Sequence, residues 1–162
     1  MQAAALGAAE VLCVDSSSAA LELVAANAER NGVAQRVHTR AADAFEALKA
    51  LRESGEQFDV VIVDPPAFVK RRKDLREGTE GYRRLNELAL RILAKDGILV
   101  SASCSYHLPR DELRKLLQRA ARHIDRNLTV LEQGGQGPDH PVHPAIPETE
   151  YLKAFVCRVL PA

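Results

Sequence analysis

The chain has 162 residues, 46% of them hydrophobic and 27% charged, which suits one domain with a substantial core. Its 22 basic and 22 acidic residues cancel, so overall charge does not identify a nucleic-acid-binding protein, although a local patch could still bind phosphates. No apolar run is long enough to span a bilayer and nothing at the N-terminus resembles a signal peptide, so we expect a cytoplasmic protein with no membrane partner.

Short apolar runs alternate with amphipathic stretches, which predicts an α/β fold with a mainly parallel sheet. We expect a buried strand at 11–14, a helix at 16–31 that Asn31-Gly32 stops, and a short strand at 36–40. Asp43 should then cap a helix that runs through about residue 53, with Glu46 completing a capping box. The clearest strand is 58–63, whose β-branched residues predict burial on both faces.

The second half of the chain continues this alternation. We expect a helix at 82–93 that ends at Lys95-Asp96-Gly97, a buried strand at 98–101, and a helix running to about His123 with Pro109 just inside it. Strands near 128–132 and 152–160 predict an antiparallel hairpin at the sheet edge.

The start of the chain departs from the usual order of such a fold. The chain begins inside what would be the first helix, at 2–6, so the opening strand and its glycine-rich turn are missing from a single domain spanning 1–162. We therefore expect the remaining strands either to close the gap or to borrow a strand from a second copy, as a homodimer.

The strand at 58–63 runs directly into Asp64-Pro65-Pro66-Ala67-Phe68. Ligands gather at the carboxyl ends of strands in an α/β sheet, so Asp64 points toward the expected crevice. Pro65 keeps Asp64 out of the helical region, and each proline fixes its own φ. The stiff turn holds the carboxylate and nearby carbonyls where a flat base could meet them; an ordinary turn aspartate is the alternative.

The strand at 98–101 exits into Ser103-Cys104-Ser105. If this strand neighbours the Asp64 strand, both exits lie on one side of one cleft. A thiol at a strand exit beside hydroxyl groups is a candidate nucleophile, because donors can stabilise its thiolate. The alternative is a small buried cysteine, which is our interpretation of Cys13 and Cys157. No two cysteines have C-x-x-C spacing, which suits a reducing compartment.

Two other acidic residues follow strands nearer the N-terminus. Asp15 is placed to accept hydrogen bonds from ribose hydroxyls of a nucleotide-like cofactor, and Asp43 from an adenine amino group. Both could instead be helix caps, and the two roles are compatible.

The remaining polar segments carry weaker signals. A basic cluster after the Asp64 turn could hold RNA phosphates or could be a solvated loop; it comprises Lys70, Arg71, Arg72, Lys73 and Arg76. The glycine-rich segment 134–137 is no phosphate cradle, because Pro138 follows it instead of a helix. His140 and His143 predict a stiff loop, and we expect no metal site.

These motifs together resemble the class I S-adenosylmethionine-dependent methyltransferases that modify a cytosine C5 in large-subunit (23S) ribosomal RNA. The likeness covers nearly the whole chain. Its motifs are Val14-Asp15-Ser16, the strand 58–63 with Asp64-Pro65-Pro66, Gly81-Tyr82, Gly97-Ile98-Leu99, Ser103-Cys104-Ser105, Asp139-His140-Pro141-Val142, and Tyr151-Leu152-Lys153 with Phe155.

The resemblance implies a Rossmann-like fold, S-adenosyl-L-methionine as cofactor, ribosomal RNA as partner, and a covalent mechanism. Cys104 would add to C6 of the base, and Asp64 would bind its N3/N4 edge as a proton partner. The target base would have to be unstacked. The cofactor residues are assigned as Asp15, Ser16, Asp43, Ala44, Asp64 and Pro65. The RNA residues are assigned as Pro66, Phe68, Lys70, Arg71, Arg72 and Lys73.

The chain departs from the family pattern in three places. Ala67 stands where relatives often have lysine, so any contact of that lysine is lost. The RNA-binding domain that usually precedes the catalytic domain is not present, nor is the glycine-rich turn that grips the methionine end of the cofactor. We therefore expect a piece of a longer protein or a misassigned start, and weak cofactor binding by this chain alone.

Two other functions remain open at this point. A methyltransferase acting on an exocyclic amine would use Asp64 and the proline carbonyls, with Cys104 as packing only. A degenerate, non-catalytic RNA-binding module would have no affinity for S-adenosylmethionine.

Overall fold

A computed structural model describes residues 2–161 of the chain. The chain consists of two compact units, Met1–Ala50 and Leu51–Ala162. No helix within 2–161 combines the length and the apolar character needed to cross a membrane.

The first unit holds two parallel strands and the helices around them. Helix α1 (Gln2–Ala5) precedes β1 (Val11–Asp15), α2 (Ser18–Arg30), β2 (Val37–Ala41) and the start of α3 (Ala44–Glu53). β1 and β2 pair in parallel from Val11↔Val37 to Asp15↔Ala41, so both strands end at the same edge. A small core of Ala4, Ala28 and Val33 packs against Val11 and Val37.

Local signals set the ends of α2. The hydroxyl of Ser17 accepts a hydrogen bond from the Ala20 amide at 3.2 Å, which satisfies one of the free donors at the helix start. At the other end Gly32 has a φ of +65°, a conformation that glycine adopts without strain. The predicted helix is therefore confirmed, but the strand at 11–14 is half-buried where the sequence predicted full burial.

The second unit is a four-stranded sheet with helices α4 (Leu75–Arg91) and α5 (Arg110–Arg122). Its strands are β3 (Phe58–Val63), β4 (Leu93–Ser103), β5 (Arg126–Gly134) and β6 (Lys153–Pro161), in the order β3-β4-β6-β5. β3 and β4 are parallel, whereas β6 is antiparallel to both β4 and β5. The α/β fold, with an antiparallel hairpin at the sheet edge, is confirmed.

The two strand sets form separate sheets among the described residues, β1-β2 and β3-β4-β6-β5. Closure of the gap into one hydrogen-bonded sheet, the first of the two expected outcomes, is therefore not observed in 2–161. Pairing with a second copy stays a prediction.

Both helices of the second unit lie on its sheet, and the central strands are buried on one sheet face. The face contains Leu99 of β4 together with Phe155, Cys157 and Val159 of β6, all 0% exposed. Val60 and Ile62 of β3 point the other way and are 52% and 67% exposed, so the prediction of burial on both faces of this strand is wrong. Strand residues alternate between faces, and only one face of β3 is buried within this unit.

Three predicted boundaries in the second unit are also wrong. α4 begins at Leu75, seven positions before the predicted start, and β4 already begins at Leu93. Lys95-Asp96-Gly97 therefore lies within β4, at an irregularity where the register with β3 shifts and Asp96 has a φ of 64°. Pro109 is the N-cap of α5, just outside the helix.

A carboxylate network joins α4 to the end of α5. Glu87 accepts hydrogen bonds from Arg83 at 2.7 Å and Arg91 at 2.8 Å on its own helix, and its oxygen lies 2.8 Å from the Nδ1 atom of His123. Burial alone would raise the pKa of Glu87, but these hydrogen bonds outweigh it and hold the pKa at about 2.

Arg126, the first residue of β5, bonds to backbone carbonyls of neighbouring elements. Its guanidinium donates to the carbonyls of Leu90 (3.3 Å), Leu93 (2.8 Å), Ala94 (2.8 Å) and Val159 (3.3 Å). These carbonyls lie at the end of α4, the start of β4 and the end of β6, so one side chain ties three elements together.

Candidate active site

The two predicted chemical groups of the second unit lie at one edge of its sheet. β3 and β4 are adjacent parallel strands with Val63 opposite Ser101, so Asp64 and Cys104 follow neighbouring strand ends. The sulfur of Cys104 lies 4.0 Å from the carbonyl oxygen of Pro65. Cys104 is half-buried and Asp64 is exposed. The structure therefore brings the Asp64 turn and the thiol together on a surface that solvent reaches.

A buried hydroxyl network fixes these two loops to each other. The Tyr82 hydroxyl of α4 lies 2.9 Å from the Ser105 hydroxyl, and the Ser105 hydroxyl accepts from the Val69 amide at 3.0 Å. The Tyr82 hydroxyl also accepts from the Phe68 amide at 3.4 Å and donates to the Pro66 carbonyl at 3.5 Å. Tyr82 and Ser105 are at most 1% exposed, so water does not compete for these bonds.

Two glycines let α4 approach the Asp64 turn closely. A Cβ at Gly78 would lie 2.7 Å from the carbonyl oxygen of Phe68 and 2.5 Å from Cγ2 of Val69, so no side chain fits. At Gly81 the nearest atom to such a Cβ is Cδ2 of Phe68, at 3.2 Å. The Phe68 ring itself lies against Tyr82 with centroids 4.7 Å apart. The Phe68 ring therefore has a packing role, and its predicted contact with RNA stays a prediction.

Lys153, the first residue of β6, lies beneath the Cys104 turn. It pairs with Ser103 across the antiparallel ladder, and its side chain donates to the carbonyls of Ser105 and Leu108, the latter at 2.9 Å. The residue is only 6% exposed, and its hydrogen bonds are to backbone carbonyls. Burial lowers the pKa of Lys153 most, and the neighbouring charge of Arg110 also lowers it, whereas Cys104 and Glu150 raise it. The result of these effects together is a pKa of about 8.

The two acidic residues of the first unit both follow its parallel strands. Asp15 accepts the Ser17 amide at 2.7 Å, and Asp43 accepts the Phe45 and Glu46 amides at 2.9 and 3.3 Å. Asp43 therefore caps α3, as the alternative predicted, whereas Asp15 accepts from the amide of Ser17, the residue that caps α2. A capping box would also have the Glu46 carboxylate bond back to Asp43. Instead, this carboxylate pairs with Lys49 at 2.7 Å.

This edge of the first unit suits the adenosine part of a cofactor. In each carboxylate the backbone bonds use one oxygen, Oδ1, and a carboxylate offers about four acceptor positions. Both side chains are exposed, as are Ser16 and Ala44, the other predicted cofactor residues of this unit. The two carboxylates at adjacent strand ends are hydrogen-bond acceptors, which suits ribose hydroxyls and an adenine amino group as donors.

The basic cluster lies on the surface of the second unit. Lys70, Arg71, Arg72, Lys73 and Arg76 are all exposed. Arg71 pairs with Asp74 at 3.0 Å, which orients its guanidinium along the chain. The positions are compatible with phosphate contacts.

The loop between β5 and β6 is ordered by one amide side chain. Gln136 donates to the His140 and Thr149 carbonyls and accepts from the Tyr151 amide. The loop and Arg110 of α5 line a cavity of about 330 Å³. Among the described residues, no group of three or more His, Cys, Asp or Glu could hold a metal ion.

Sequence reasoning missed three residues of this site. Lys153 lies at the start of an apolar strand. A lysine in such a position could have been predicted to be buried and to need hydrogen-bond acceptors. The roles of Tyr82 and Ser105 depend on contacts across 23 positions and left no local signal.

The fold and this strand-end site define a class of protein, the α/β methyltransferase fold. A candidate methyltransferase solved in complex with SAH has a TM-score of 0.80 at 22% identity, over 94% of this chain and 40% of that one. A SAM-dependent methyltransferase of Agrobacterium tumefaciens has a TM-score of 0.67 at 21% identity, over 99% of this chain and 51% of that one.

The chain belongs to the family described as Conserved hypothetical protein 95, whose model matches residues 1–129. It is similar to Ribosomal RNA large subunit methyltransferase I of Erwinia tasmaniensis, with 40% identity over 152 residues. It is similar to the protein of the same name from Serratia proteamaculans, with 41% identity over 155 residues. The matched part is 93% and 95% of this chain but 38% and 39% of these relatives, so the chain spans well under half their length.

Proposed function

We propose that this chain is part of an S-adenosylmethionine-dependent methyltransferase that modifies C5 of a cytosine in 23S ribosomal RNA. The observation that carries the proposal is the position of the Cys104 sulfur, 4.0 Å from the Pro65 carbonyl and at the same sheet edge as Asp64. The names of the relatives support the enzyme class and an RNA substrate.

The thiol is needed because C5 of cytosine is a poor nucleophile. The Cys104 thiolate adds to C6, so an S–C6 bond forms, the C5=C6 pair shifts toward C4 and N3, and N3 takes up a proton delivered through Asp64. S-adenosylmethionine, when bound, supplies an electrophilic methyl group for C5. As C5 takes the methyl group, the C4=N3 bond re-forms and N3 returns its proton through Asp64. A base then removes the C5 proton, and the freed pair restores the C5=C6 bond while Cys104 leaves as thiolate.

The remaining predicted residues bind the cofactor, the target base and the RNA backbone in this proposal. In the first unit, Asp15 and Asp43, with Ser16 and Ala44 beside them, would hold the adenosine part of the cofactor. In the second unit, Asp64 and Pro65 are the residues that the resemblance assigns to the cofactor. Pro66 positions the base. The exposed residues Lys70, Arg71, Arg72 and Lys73 contact RNA phosphates, which position the substrate without reading its sequence.

The proline carbonyls argue against methylation of an exocyclic amine. Such an enzyme would use these carbonyls to accept hydrogen bonds from the amino group. Here the Pro66 carbonyl accepts from the Tyr82 hydroxyl at 3.5 Å, and the Pro65 carbonyl faces the Cys104 thiol.

Transfer of a labelled methyl group to 23S RNA fragments tests the proposal. Cys104→Ala should abolish transfer, whereas Cys13→Ala, a matched change outside this site, should retain it. RNA that carries 5-fluorocytidine should trap a denaturation-resistant adduct with the full-length parent protein, because fluorine at C5 cannot leave as a proton does. Transfer that survives Cys104→Ala in that protein would identify an amine methyltransferase. Absence of transfer and of S-adenosylmethionine binding by the unaltered parent protein would identify a non-catalytic module.

A further inference from the structure

Lys153 is a buried cation beside the proposed nucleophile, and the mechanism above does not use it. Its side chain is 6% exposed and bonds to two carbonyls of the turn that follows Cys104, those of Ser105 and Leu108. Backbone carbonyls carry no net charge, so these bonds orient the ammonium group without neutralising it. A buried lysine without a carboxylate among its bonded partners is uncommon.

We infer that Lys153 is a positioning residue for Cys104: it anchors the turn that follows the thiol and places a positive charge beside that turn. The geometry supports both parts. Lys153 pairs with Ser103 in the β4–β6 ladder, so its Cα lies opposite the residue before Cys104, and its ammonium group binds the carbonyl of the residue after it. The cysteine therefore lies between two points of attachment to one residue, the backbone of Lys153 at Ser103 and its side chain at Ser105.

Two other charged residues lie near enough to the ammonium group of Lys153 to act on it. Arg110 of α5 and Glu150 of the β5–β6 loop also act on Lys153 and are opposite in sign. Arg110 donates to the Gly134 carbonyl at 2.9 Å, which holds its guanidinium at the end of β5. Cys104 also acts on Lys153, and its charge favours the charged form of the lysine.

The inference rests on the proposed role of Cys104, but its test does not require methyl transfer. Iodoacetate carries a negative charge and iodoacetamide carries none, so the ratio of their alkylation rates at Cys104 reports the local charge. The fraction of thiolate affects both rates equally and cancels from the ratio. A merely structural lysine would leave the ratio unchanged.

Lys153→Met and Lys153→Gln should each lower this ratio roughly fivefold, the effect of one unit charge a few ångströms away in water. Lys115→Met is the matched control, because Lys115 is an exposed lysine of α5 paired with Glu112 at 2.7 Å. Peptide mass mapping assigns the alkylation to Cys104. An unchanged ratio in either folded Lys153 variant would overturn the inference.

A measurement on the unaltered chain covers the case in which both variants fail to fold. The pKa of Lys153 is about 8, so the ratio should fall as the pH rises from 7 to 9 and this side chain loses its charge. A ratio that stays constant from pH 7 up to about pH 11, beyond the ordinary pKa of a lysine, overturns the inference. A ratio that responds while Cys104→Ala still transfers methyl groups would retain the charge assignment and remove the covalent mechanism.

Discussion

Gly78→Ala should destabilise the second unit although alanine is the better helix former. The Cβ would lie 2.5 Å from Cγ2 of Val69, 2.7 Å from the carbonyl oxygen of Phe68 and 2.8 Å from its carbonyl carbon. Two of these atoms are backbone, and Val69 is buried and tied to Ser105 at 3.0 Å, so the turn cannot shift without breaking the hydroxyl network.

The magnitude follows from two opposing effects. Overpacking costs about 1–3 kcal/mol, and contacts with backbone belong at the upper end of that range. Replacing a helical glycine by alanine returns about 1 kcal/mol. We therefore expect the free energy of unfolding to fall by about 2 kcal/mol.

Urea denaturation followed by far-UV circular dichroism measures this change, and Gly81→Ala is the matched control. At Gly81 the closest contact is 3.2 Å to a ring atom of Phe68, which can give way. The control should be neutral or gain up to about 1 kcal/mol. The reasoning is refuted if Gly78→Ala is as stable as the unaltered chain, because the close approach of α4 would then be absent.

Three further predictions concern charged residues. The pKa of Glu87 is lowered to about 2, so the carboxylate stabilises the fold above pH 4.5 and loses this effect as the pH falls toward 2. Glu87→Gln should therefore lower the free energy of unfolding by roughly 3 kcal/mol at pH 7 and by little at pH 2. Urea denaturation at each pH measures this difference. Arg126→Met should lower the free energy of unfolding by more than about 2 kcal/mol, because four carbonyls lose their donor, and a smaller loss would show that water replaces it. Arg72→Ala should weaken RNA binding and reduce the slope of log affinity against log salt by about 1, and an unchanged slope would exclude a phosphate contact.

The strand exits could be predicted from the sequence because local chemistry marks them. A β-branched run that ends in Asp64-Pro65-Pro66 identifies both the strand and its exit, and the hydroxyl-flanked Cys104 marks the next one. The cap at Asp43 and the side-chain-to-backbone turn at Asp15 also follow from residue type alone. These features depend on neighbours within three positions, so the sequence carries them directly.

The errors arise where distant contacts override local preference. The first turns of α4 were missed because Gly78 and Gly81 are poor helix formers, and only the nearby turn at Phe68 explains why glycine is required. The exposure of Val60 and Ile62 depends on which sheet face the helices of the second unit cover. Apolar runs alone do not distinguish a strand buried on one face from a strand buried on both.

The insertion of β6 between β4 and β5 has a consequence for synthesis on the ribosome. β3, β4, α5 and β5 all emerge before β6, yet β4 and β5 are each bonded to β6 and not to one another. A nascent chain therefore carries two open strand edges, and a thiol turn without its buried lysine, until translation reaches residues 153–161. Open edges are where wrong pairings begin, so this stage is the most vulnerable to aggregation and to protease attack.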